Sequence, residues 1–155
     1  MSVLSEKLAR NGSLDCRVKM ENNRAAGASC LVDTDIAIDF LRQRDYARKL
    51  LGNWAKEGLL AISTLTHLEI YQGMKAGEEE TTNAFLDGLL SVPVDVSIAR
   101  RAGKLLGNLR SSGITVGIAD SIIATTALEL DIPLLTNNVD HYPFPDLNII
   151  TGLQH

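Results

Sequence analysis

Short apolar runs that stop abruptly on polar residues alternate along this chain with longer stretches whose apolar residues fall on one helical stripe. That alternation constrains the fold more than any other feature. Ala28 to Val32, Leu59 to Ser63, Val92 to Val96, Ile132 to Thr136 and Asn148 to Thr151 read as strands. Ile36 to Arg42, Asp45 to Glu57, Glu78 to Leu90, Ser97 to about Ser111 and Val116 to Leu130 read as helices. A further strand-to-helix junction falls at Ser63 to Glu69. Leu59-Leu60-Ala61-Ile62 is apolar at consecutive positions, as a strand covered on both faces must be. The expected architecture is therefore a three-layer α/β/α sandwich around a short, mostly parallel central sheet. Gly103 and Gly107, four apart, read as a small-residue stripe for close helix packing.

The 155 residues suit one domain, and 45% hydrophobic against 22% charged residues places most of the chain with folding sequences. Residues 1–28 differ: rich in Asn, Gly, Ser and charge, they read as a flexible arm preceding a single domain over 29–155. No apolar run approaches the roughly 18 to 20 residues of a membrane span, and the N-terminus lacks the pattern of an export signal. Cys16 and Cys30 form no C-x-x-C pair, so the expected location is the cytoplasm. Basic residues outnumber acidic ones in the first 29 positions, so the body carries more than the whole net charge of −4. Any nucleic-acid surface on the body must be local.

The acids sit where such a fold places ligands, beyond the carboxyl ends of parallel strands. Asp33 follows the first strand, Glu69 lies in the first turn of the helix after the second, and Asp140 follows the strand ending at Thr136. Asp120, among Ile118, Ile122 and Ile123, starts a helix at the same edge. Carboxylates gathered this way repel unless a cation intervenes. An oxygen-only set suits Mg²⁺ or Mn²⁺ and, with them, a phosphodiester substrate. Structural roles compete: Asp33 can cap a helix, Thr66-His67-Leu68-Glu69 fits a capping box, Asp120 can cap from Ser121, and Asp140 can close an Asx turn. Asp35 reads as a cap or secondary ligand, and Asp39 as solvated helix surface.

Four segments together resemble a PIN domain, and within it a VapC-type ribonuclease toxin. They are Leu-Val-Asp-Thr-Asp at 31–35 with Ile-Asp-Phe-Leu-Arg at 38–42, Ile-Ser-Thr-Leu-Thr-His-Leu-Glu at 62–69, Ile-Ala-Asp-Ser-Ile-Ile-Ala-Thr-Thr-Ala at 118–127, and Leu-Leu-Thr-Asn-Asn-Val-Asp-His-Tyr at 134–142. The resemblance implies that Asp33, Glu69 and Asp120 are the principal metal-site acids, with Asp140 at the later acidic position. Asn137 or Asn138 stands where the motif often has aspartate, and Tyr142 replaces the common Phe. Thr34 and Thr136 match small hydroxyl positions beside the site. It also implies Mg²⁺- or Mn²⁺-dependent endonucleolytic cleavage of RNA, a cognate VapB-like antitoxin, and a homodimer.

Candidate RNA contacts are Arg42, Arg44, Arg48 and Lys49, or Arg100, Lys104 and Arg110. With 5% aromatic residues, recognition through backbone and shape is expected over base stacking. Two other functions compete. Asp33-Thr34-Asp35 resembles the D-x-D of haloacid-dehalogenase-like phosphatases, but that family's later lysine and acidic motif are missing. A PIN-fold interaction module without activity is the other, against which all four acidic positions are filled. His67 and His141 form no H-E-x-x-H pair, and His141 reads as a loop residue.

Overall fold

A computed structural model describes residues 27–153, so the expected arm lies almost wholly outside the described residues. Five parallel strands form one sheet in the order β3-β2-β1-β4-β5. They are β1 (Ala28–Val32), β2 (Leu59–Ser63), β3 (Leu90–Val92), β4 (Leu134–Leu135) and β5 (Ile149–Ile150). Six helices connect them among the described residues: α1 (Thr34–Leu41), α2 (Asp45–Glu57), α3 (Thr64–Gly73), α4 (Glu79–Asp87), α5 (Val96–Ser111) and α6 (Ile118–Leu130). No helix among the described residues is long and apolar enough to cross a membrane.

Successive strand side chains point to opposite faces, and here both faces are covered. Leu31, Ala61 and Leu134 enter one core with Ile98 of α5 and Ile123, Ala124 and Ala127 of α6. Cys30, Val32, Ile62 and Leu135 enter the other with Ile36, Leu51, Ile70 and Leu86 from α1 to α4. The expected three layers follow from this division. Gly58 ends α2 at a point where chains nearly touch: a Cβ there would lie 2.5 Å from the Gly27 carbonyl oxygen. Next to it, Leu59 N–H donates to that same oxygen at 2.6 Å.

Several boundaries differ from the sequence expectation. Helix α4 stops at Asp87 and Leu90 belongs to β3, where it pairs with Ala61; Leu89-Leu90 is too short an apolar run to distinguish the two periods. The expected strand at 92–96 is instead the exit from β3. Pro93 cannot donate to a ladder, and Asp95 accepts from Ile98 N–H at 2.9 Å, capping α5 two residues before the expected Ser97. Gly103 and Gly107 are exposed, and an added Cβ would meet nothing within 4 Å at either, so they are not a packing stripe.

Candidate active site

The strand order sets the site. Central β1 ends at Asp33, flanked by the end of β2 at Ser63 and the end of β4 before Thr136. Asp33 is the N-cap of α1, held in extended backbone and 4% exposed. Its Oδ1 accepts Thr34 N–H at 2.7 Å, and its Oδ2 accepts both Thr136 Oγ1–H at 2.7 Å and Tyr142 O–H at 2.8 Å. Burial, then the charge of Asp35, pushes Asp33 up to about 6 despite these three hydrogen bonds.

Glu69 reaches the same place from α3, accepting the hydroxyl of Thr34. Thr34 thus ties Glu69 to the residue next to Asp33. The capping-box alternative for Glu69 fails on position. Ser63 is the N-cap, accepting Leu65 N–H at 3.1 Å, so Thr66 is inside the helix and Glu69 one turn beyond the first. Thr66 is fully buried and its Oγ1 lacks a partner.

Asp120 lies in the first turn of α6, whose N-cap is Gly117, and its Oδ2 would be 3.0 Å from a Cβ added to Gly117. It does not cap from Ser121. Its charge reaches the Tyr142 hydroxyl, whose pKa is raised by burial first, then by Asp33, then by Asp120 and Asp35. The 3₁₀ turn Val139–His141 presents His141 to Asp120, with Nδ1 3.4 Å from Oδ2; Asp140 of the same turn is exposed.

Asp35 faces the loop after β4. Its Oδ2 accepts Asn137 N–H at 2.8 Å and its Oδ1 accepts Ile36 N–H at 2.7 Å; burial raises its pKa more than these bonds lower it. Both oxygens thus hold backbone, unlike the free acid that a D-x-D phosphatase needs. The Asn137 side chain donates to Tyr46 Oη at 2.9 Å and accepts Gly152 N–H at 2.9 Å and Leu153 N–H at 3.1 Å. Asn138 N–H donates to Thr136 Oγ1 at 3.1 Å, orienting the hydroxyl that serves Asp33. Asp39 is no bare surface acid, because it accepts the Tyr46 hydroxyl.

The basic candidates Arg42, Arg44, Arg48, Lys49, Arg100, Lys104 and Arg110 are all exposed. Arg42 lines a cavity of about 350 Å³ with Ile38, Ile70, Met74 and Lys75. Their neighbour on α5, Arg101, is committed to Glu129 at 2.8 Å.

The donor set suits Mg²⁺ or Mn²⁺ in kind. Asp33 is buried beside another acid, its carboxylate oxygens met only by neutral donors, which is the environment a cation relieves. Among the described residues, no three or more His, Cys, Asp or Glu side chains come close enough together to hold an ion. That is compatible with Mg²⁺, which keeps several waters and takes one or two carboxylates, and not with a dehydrated protein cage.

The structure adds Tyr142 and His141 to the site as contacts of Asp33 and Asp120. A tyrosine beside Phe144 and Leu147 in a core segment is the available signal, since a buried phenol needs a partner. Nothing local marks His141, whose contact depends on the path of the turn.

Comparison with known proteins agrees with this geometry. The PIN domain family matches residues 30–147. Ribonuclease VapC19 of Mycobacterium tuberculosis is 39% identical over 119 residues, covering 76% of this chain and 95% of the relative. Ribonuclease VapC10 of the same organism is 38% identical over 113 residues, covering 73% and 85%. Among solved structures, a toxin–antitoxin complex from Klebsiella pneumoniae superposes with a TM-score of 0.69 at 28% identity, covering 82% of this chain and 100% of that one. A DNA-bound VapBC from Salmonella typhimurium gives 0.69 at 23% identity, covering 81% and 99%, and supports the fold alone. With its sheet order, its acids at the strand ends and relatives matched over most of their length, this chain belongs to the PIN-domain family, alongside the VapC ribonucleases.

Proposed function

We propose that this protein is a Mg²⁺- or Mn²⁺-dependent endoribonuclease, the toxin of a type II toxin–antitoxin pair, acting in the cytoplasm as a homodimer and restrained by a VapB-like antitoxin. The observation that carries the reading is the link from buried Asp33 through Thr34 to Glu69, at the carboxyl ends of parallel strands in a chain 39% identical to a ribonuclease. Asp33 and Glu69, linked through Thr34, would hold the cation directly, with Asp120 meeting it through its waters; when bound the cation supplies positive charge at the scissile phosphate and lowers the pKa of attacking water. The protein's own contribution is positional. Thr34 orients Glu69, Thr136 and Tyr142 fix the Asp33 carboxylate, and Asn137 anchors Asp35 and the loop after β4.

His141 lies beside Asp120, where a protonated imidazole offers a positive charge to an RNA phosphate or a proton to a departing oxygen. Exposed Arg42, Arg44, Arg48 and Lys49, or Arg100, Lys104 and Arg110, are candidate contacts to the RNA backbone. Solved toxin–antitoxin complexes of this fold, such as that from Klebsiella pneumoniae, support an antitoxin partner.

The test is incubation of the purified protein with structured RNA in Mg²⁺, in Mn²⁺ and in EDTA. Internal cleavage that needs either cation and stops in EDTA is expected. Equal cleavage in EDTA contradicts the metal dependence, and no cleavage of any RNA under any condition contradicts the enzyme.

A further inference from the structure

Asp33 is hydrogen-bonded asymmetrically. Its two carboxylate oxygens offer about four lone-pair directions. Oδ2 uses both of its own, accepting Thr136 Oγ1–H at 2.7 Å and Tyr142 O–H at 2.8 Å. Oδ1 uses one, on Thr34 N–H at 2.7 Å, and keeps the other.

Both hydroxyl oxygens are held in place beside Asp33. Tyr142 is 3% exposed in the core that holds Leu31, Ile123 and Phe144. Its backbone is pinned on both sides, Tyr142 N–H to Val139 O at 3.0 Å and Phe144 N–H to Tyr142 O at 2.8 Å. Thr136 Oγ1 meanwhile accepts Asn138 N–H at 3.1 Å and donates its own proton to Asp33 at 2.7 Å, with Asp35 Oδ1 a longer alternative at 3.4 Å.

We infer that Tyr142 is a specificity-determining residue of the cation site: by occupying Asp33 Oδ2 together with Thr136, it leaves Asp33 a single coordinating oxygen and so favours Mg²⁺ and Mn²⁺ over Ca²⁺. The inference rests on the proposed metal-dependent function. Ca²⁺ takes six to eight oxygens and accepts a carboxylate through both atoms, whereas Mg²⁺ demands near-octahedral coordination at about 2.0–2.1 Å. A carboxylate with only Oδ1 available serves the smaller ion without penalty and withholds a ligand from the larger. Tyr142→Phe keeps the ring in the core and returns a lone pair to Oδ2, so Asp33 can bind through both oxygens.

The test measures Mg²⁺, Mn²⁺ and Ca²⁺ binding to the full chain by calorimetry, without RNA, for the wild type, Tyr142→Phe, Thr136→Val and Asp33→Asn. Relative to Mg²⁺, Ca²⁺ affinity is expected to rise about tenfold in Tyr142→Phe, the scale of one hydrogen bond to a charged group. Thr136→Val, which frees the same oxygen, should move the ratio in the same direction. An unchanged Ca²⁺-to-Mg²⁺ ratio in Tyr142→Phe overturns the inference while leaving the proposed function standing, provided Asp33→Asn weakens Mg²⁺ binding. Mg²⁺ and Mn²⁺ binding that is absent from the wild type, or undiminished in Asp33→Asn, overturns both.

Discussion

Thr34 donates its hydroxyl to the carboxylate of Glu69, thirty-five residues away, and so joins the start of α1 to the middle of α3. The contact orients the one acid of the site that comes from the second strand-to-helix junction. Thr34→Val keeps the shape of the side chain and removes the donor. Cleavage should fall about tenfold, while unfolding in urea should show a loss of only about 1 kcal/mol, the net worth of a part-exposed hydrogen bond. Thr34→Ser should retain most activity. Equal activity in Thr34→Val and wild type would show that Glu69 needs no such orientation.

The burial of Asp33 makes a prediction for pH. The folded protein holds that proton with a pKa of about 6 against an ordinary 3.8, so between these values it binds more protons than the unfolded chain. The associated stability is fully present below 3.8 and is lost as pH rises through about 6. For a group this buried, the shift corresponds to about 3 kcal/mol. Metal-free Asp33→Asn should therefore be more stable than the wild type at pH 7.5, and the difference should shrink or reverse near pH 4. Urea unfolding at the two pH values checks the sign. A wild type that gains on the variant as pH rises would contradict it.

The turn after β4 separates His141 from Asp140. His141 lies 3.4 Å from Asp120, whereas Asp140 is exposed. His141→Ala should lower cleavage by about ten- to a hundredfold, the range for a positioned proton donor or charge. Asp140→Asn should leave it within about twofold by the same reasoning. The reverse ranking, measured on one RNA, would return the fourth position to Asp140.

These contrasts mark where sequence reasoning reached and where it stopped. Asp33 was legible because an apolar strand ends on it, and Asp120 because an acid among isoleucines calls for a reason. Glu69 is legible at the right edge, but Ser63 and not Thr66 is the cap, which puts Glu69 one turn deeper into the helix than the first turn expected for it. The helix over-run to Leu90 arose because two adjacent leucines satisfy a helical stripe and a strand equally. Tyr142 and His141 stayed hidden for a different reason. Their roles depend on how the eight residues between Thr136 and Pro145 fold back, and side-chain periodicity says nothing about a loop's path.

Asn137 connects that loop to Gly152 and Leu153, after β5. Its Oδ1 accepts from Gly152 and Leu153, and Gly152 fits only because it has no side chain: a Cβ would lie 2.8 Å from Tyr46 Cδ2 and 3.0 Å from Leu50 Cδ2. Gly152→Ala should displace Tyr46 or the terminal segment and cost about 1–3 kcal/mol, as overpacking does. Cleavage should fall with it, because Asn137 also holds Asp35. Thermal unfolding and activity of this variant, measured together, check the coupling. A stable variant with full activity would show that the terminal contact does not brace the site.

Asp33 and Glu69 directly, and Asp120 through bound water, are proposed to serve one cation. The most direct test of this shared role is the rate of Mg²⁺- or Mn²⁺-dependent RNA cleavage by Asp33→Asn, Glu69→Gln and Asp120→Asn, each shown to be folded by circular dichroism. Each variant should lose at least about a hundredfold in rate, the scale on which metal-site partners act. Undiminished cleavage in all three would contradict the account.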